Sequence, residues 1–127
     1  MKATNEYVST LFELKEATIA ENIVWKRLNK DTYTYKVMNY DLEDLIITIK
    51  KISDKAPGHF VLSLVKKDFE SSELLMNLDT TTTNEDLRDQ LEELYEFIEY
   101  HVDLRSLDGL RSFIDVVNDP KTRTSLD

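Results

Sequence analysis

The chain predicts an α+β fold: an antiparallel β-meander of about five strands, with one N-terminal helix and a C-terminal helical hairpin packed on it. Three observations carry this expectation. Across residues 22–79 apolar residues alternate with others at period two, in five short runs. The breaks between those runs are too short to hold a crossover helix, so neighbouring strands should run antiparallel. On both sides of the stretch, apolar residues recur at spacings of three and four, which gathers them into one stripe along a helix.

Residues 5–21 read as the first helix. Tyr7, Val8, Leu11, Leu14 and Thr18 share a stripe, Thr4 or Asn5 is placed to cap it, and Glu6, Glu13 and Glu16 point to water. Its expected role is to cover part of the sheet.

The strand pattern then begins abruptly. Ile23 and Trp25 open the first run; Tyr33, Tyr35 and Val37 form the second; Leu45, Ile47 and Ile49 the third; Phe60, Leu62 and Leu64 the fourth; Leu74, Met76 and Leu78 the fifth. Trp25, the only tryptophan, is expected to anchor the core. Residues 29–31, 39–41, 53–58 and 67–72 carry the Asn, Asp, Ser, Gly and Pro that suit turns.

Thr83, followed three residues later by Asp86, resembles a capping box and predicts a helix start near Asn84. Leu87, Leu91, Leu94, Ile98 and Val102 form its stripe, with Tyr95 at the margin. Residues 103–105 read as a short link, and Ser106 as the cap of a third helix with Leu107, Leu110, Phe113, Ile114 and Val117 as its apolar face. Gly109 costs such a helix about 1 kcal/mol relative to alanine, so it is expected at a close packing contact. Residues 1–118 therefore form a single domain, and 119–127 a flexible tail.

The 127 residues include 25 acids against 16 lysines and arginines, a net charge of -9. The excess is local: residues 83–119 hold eleven acids and three arginines, whereas the first 82 residues are close to neutral. A field of that sign disfavours nucleic acid or an anionic membrane as the partner of the helical half. On the second helix, Asp89, Glu93, Glu96, Phe97 and Tyr100 lie off the buried stripe and form a candidate interaction patch, acidic with aromatic anchors. A basic cluster at Lys26, Arg27, Lys30 and Lys36, interleaved with Tyr33 and Tyr35, has the composition of a single-strand binding surface, but acids crowd it.

Catalytic chemistry finds no support. There is no cysteine, and His59 and His101 lack metal-ligand company at useful spacing. Two glycines cannot build a phosphate-cradling loop. No catalytic residue, metal or cofactor is expected. The absence of cysteine fits a reducing compartment, and no apolar run is long enough for a signal peptide core or a membrane span, so a cytoplasmic location is expected.

The runs Leu14-Lys15-Glu16-Ala17-Thr18, Asn22-Ile23-Val24-Trp25-Lys26-Arg27 and Tyr33-Thr34-Tyr35, with Leu91 to Tyr95 as a closing Leu-x-x-Leu-Tyr motif, resemble a loose pattern in small uncharacterised bacterial and mobile-element proteins. The resemblance implies a helix, an Ile-x-Trp strand, a meander and two closing helices, and it implies no activity.

The functional expectation is a non-catalytic protein–protein interaction module or a self-associating accessory protein. One alternative is an acidic inhibitor, antitoxin-like, that occupies a basic nucleic-acid-binding surface. A second is a small-ligand binder or enzyme with a pocket between sheet and helices.

Overall fold

Period-two alternation is realised as one five-stranded antiparallel sheet, seen in a computed structural model that describes residues 2–53, 55, 58–81 and 85–121. The order along the chain is α1 (Lys2–Ile19), β1 (Lys26–Asn29), β2 (Thr32–Met38), β3 (Asp44–Ser53), β4 (His59–Lys67), β5 (Ser72–Asp79) and α2 (Glu85–Asn118). The strands lie side by side in sequence order, each paired antiparallel with the next. This is the expected meander.

Helix α1 starts at Lys2, so Thr4 and Asn5 sit inside it and do not cap it. Its end is built without glycine. Glu21 adopts φ 61°, while the Asn22 N–H bonds to the Ala17 carbonyl at 3.0 Å and the Glu21 N–H to the Thr18 carbonyl at 3.1 Å. That pair of bonds is a Schellman closure with a left-handed residue at its turn. The chain leaves it in irregular conformation, so Ile23, Val24 and Trp25 precede the first strand instead of forming it. Trp25 is nevertheless buried, and its indole N–H donates to Thr18 Oγ1 at 3.0 Å, joining the end of α1 to the entry of β1.

One face of the sheet carries the core. Tyr33, Ile49, Phe60, Leu62 and Leu78 pack from the strands against Leu11 of α1 and Leu87, Leu91, Leu94, Tyr95 and Ile98 of α2. Tyr95 is the hub, with the Tyr33 ring edge-on at 5.5 Å and the Phe60 ring at 5.2 Å. Leu74 departs from the expected face. An irregularity between β4 and β5 pairs Val65 with Leu74 while Leu64 pairs with Met76, so the inserted residue, Leu75, shifts the parity and leaves Leu74 61% exposed.

The C-terminal helical hairpin is not formed: α2 is a single helix of 34 residues, and residues 103–105 lie within it. Leu104 and Arg105 are good helix formers, and no glycine or proline stands there to break the run. At 1.5 Å per residue the helix is about 50 Å long, more than the sheet can cover. Every residue from Asp103 to Lys121 is exposed. Gly109 has nothing within 4 Å of where a Cβ would stand, so it serves no close packing. The Thr83 cap and most of the expected tail lie outside the described residues.

Candidate interaction surface on the projecting helix

The site begins where α2 leaves the body. The packed part of α2, from Glu85 to Asp103, is held from two sides. On one, Lys15 of α1 pairs with Glu93 at 2.8 Å and sets its ammonium 5.2 Å from the centre of the Phe97 ring. On the other, Arg27 of β1 pairs with Asp103 at 3.0 Å. The same guanidinium donates to Tyr33 Oη from Nη2 at 2.6 Å and from Nε at 3.2 Å, bonds that raise its pKa further.

Those contacts divide the patch read from sequence. Asp89 and Glu96 are exposed, but Glu93 is neutralised by Lys15, and Phe97 is half-buried between Lys15 and the His101 ring, 4.3 Å away. Tyr100 alone of the two aromatics stands out, 60% exposed, with its ring edge-on to His101.

Beyond Asp103 the helix becomes an arm. Leu107, Leu110, Ile114 and Val117, read from sequence as part of the apolar face of a third helix, are all exposed, and so is Leu104 from the expected link. On a wheel at 100° per residue they fall, with Tyr100, roughly opposite the Leu87, Leu91, Leu94 and Ile98 stripe. One helix thus has two apolar faces, the first spent on the sheet and the second turned away from it. The change of face was visible in the sequence, since extending the first stripe past Val102 leads to Arg105 and Gly109. The arm is also weakly built: its last turn carries no basic residue to meet the helix dipole, and Asp115 stands there instead.

The remaining surfaces carry less. A cleft of about 210 Å³ beside α2 is lined by Lys51, Ser53, Glu92, Tyr95, Glu96 and Glu99. Tyr95 Oη has no hydrogen-bond partner among the described residues, and burial pushes its pKa up to about 12. His59 is not part of this cleft. It sits 2.8 Å from Asp79 Oδ1, which also accepts from the Thr81 N–H and hydroxyl; the Thr81 backbone bond contributes most to holding that carboxyl below its usual range. No group of three His, Cys, Asp or Glu among the described residues is arranged to hold a metal ion. The basic cluster is broken up as well, because Tyr33 is wholly buried and Arg27 is engaged with Tyr33 and Asp103.

No described helix is long and apolar enough to cross a membrane. No family model matches the chain, and neither the curated proteins nor the solved structures provide a match.

Proposed function

We propose that this chain is a non-catalytic protein–protein interaction module that presents the arm of α2 to a protein partner. One observation carries the reading: six large side chains, Tyr100, Leu104, Leu107, Leu110, Ile114 and Val117, stand exposed in one stripe on a helix that has left its own core. A lone exposed leucine needs no explanation, whereas a contiguous apolar stripe rimmed by charge marks a contact surface. Amphipathic helices bind through such spaced anchors. An accessory role in a bacterial or mobile-element system rests on the sequence resemblance alone.

Affinity capture with the wild-type chain and with Leu107→Glu/Ile114→Glu tests the reading. Proteins enriched by the first and lost with the second support it. Identical captures by both would remove it, because the arm would then recruit nothing.

The acidic-inhibitor reading has its own support in Glu92, Glu96 and Glu99, which line one cleft of α2. Binding to a basic protein through that side should weaken about ten-fold or more between low and physiological salt and should be indifferent to the arm substitutions.

A further inference from the structure

We infer that the occupant of the arm is a second copy of this chain, bound antiparallel about a two-fold axis at Leu107. This rests on the reading of the arm as the interaction surface and names its partner.

In an antiparallel pair centred on residue 107, each residue lies across from the one equally far on the other side of that centre. Leu107 then meets its own copy, Leu104 meets Leu110, Tyr100 meets Ile114, and Asp103 meets Arg111. Every one of these pairs is apolar with apolar or acid with base. Farther out, Phe97 falls opposite Val117 and Glu96 opposite Asn118. The like-charged Glu99 and Asp115 also correspond, but about 80° around the wheel from the contact line, where water screens them.

Competing arrangements are worse. A parallel, in-register pair sets Asp103 against Asp103 in the seam. Moving the antiparallel centre to midway between Leu107 and Leu110 puts Asp103 opposite Ile114, where burying the carboxylate brings no cross-helix partner like Arg111 in return. Asp103 remains 59% exposed while bonded to Arg27, so it has room for a second guanidinium from the partner copy. The antiparallel arrangement also sends the two sheet bodies to opposite ends of the pair.

The area is adequate for a reversible dimer. The six side chains expose on the order of 600 Å² per copy, so a pair covers about 1,200 Å², the lower end of specific stable interfaces. Area does not fix affinity, so we take about 1–100 μM as the working range for a reversible pair at that lower end. Closure by a two-fold axis stops assembly at two copies.

Sedimentation velocity across that concentration range, together with cross-linking, provides the test. The wild-type chain should shift from monomer to dimer, and Leu107→Glu should raise the dissociation constant at least about 100-fold. Leu107 is exposed and lies outside the core cluster, so the variant should keep the thermal unfolding of the dilute wild-type protein. Because the chain has no cysteine, introduced thiols report orientation: a mixture of Tyr100→Cys and Ile114→Cys, treated with a short bifunctional thiol reagent, should give chiefly mixed 100-to-114 pairs. Pairs linking 100 to 100 and 114 to 114 instead would overturn the antiparallel seam. A strict monomer up to millimolar concentration overturns the second-copy occupant. If that monomer still captures another protein through Leu107 and Ile114, the interaction reading survives; if it captures none, both fall together.

Discussion

Arg27 Nη2 lies 3.0 Å from Asp103 Oδ1 and 2.6 Å from Tyr33 Oη, so a single guanidinium joins the edge strand, a fully buried tyrosine of β2 and the point at which α2 departs from the body. Upstream of Asp103 the helix is packed. Downstream it is exposed on every face, which makes this ion pair the boundary between a folded body and a presented arm.

Replacing Arg27 with methionine should destabilise the chain by about 1–3 kcal/mol, because it leaves the buried Tyr33 hydroxyl without its donor. Asp103→Asn should cost less than about 1 kcal/mol, since that half of the relay is largely solvated. Urea denaturation compares the two. Hydrogen exchange of residues 99–106 should quicken in both, and equal, large losses of global stability would contradict the hierarchy.

Glu21 occupies the left-handed position of the α1 closure, a conformation that costs a non-glycine residue about 1 kcal/mol or more. Its side chain is exposed. Glu21→Gly should therefore raise stability by up to about 1 kcal/mol in chemical denaturation, and Glu21→Val should lower it.

Tyr95 gives the chain an alkaline limit. The phenol ionises near 10 when unfolded and near 12 when buried, so between those values the unfolded state has released a proton that the folded state keeps. Stability falls as pH rises through that window, by about 2–3 kcal/mol when complete. Tyr95→Phe should abolish this component of the pH dependence. At neutral pH it should be nearly neutral, because the hydroxyl it removes makes no hydrogen bond among the described residues. Urea unfolding at pH 8 and pH 11 measures both effects.

The two apolar faces of α2 should respond unequally to truncation. Leu94→Ala, within the core, should cost about 2–5 kcal/mol. Leu107→Ala should change the stability of the dilute chain by less than about 0.5 kcal/mol, as at an ordinary surface position. Thermal unfolding at low concentration tells these apart, and a large loss at Leu107 would mean that the arm folds back.

Local pattern was sufficient for the sheet because alternation and short turns leave few topologies open: Tyr33, Ile49, Leu62 and Leu78 reach the core where parity puts them. It failed at Leu74, where one inserted residue reverses parity, and at Ile23, where the α1 closure keeps the chain out of the ladder. Both failures arise from backbone geometry with no composition of its own. The patch residues Glu93 and Phe97 were placed on α2 from periodicity, but their engagement by Lys15 depends on how α1 crosses that helix, 78 positions away in sequence.

The sequence by itself determined the α+β class, the five-stranded order and the first stripe of α2, because each follows from the spacing of apolar residues along a short run. Tertiary structure decided what the second stripe faces. Leu107 and Leu110 are equally suited to a hairpin core and to a projecting arm. The outcome turns on whether the backbone bends at residues 103–105, and with no glycine or proline there the intrahelical hydrogen bonds carry on unbroken.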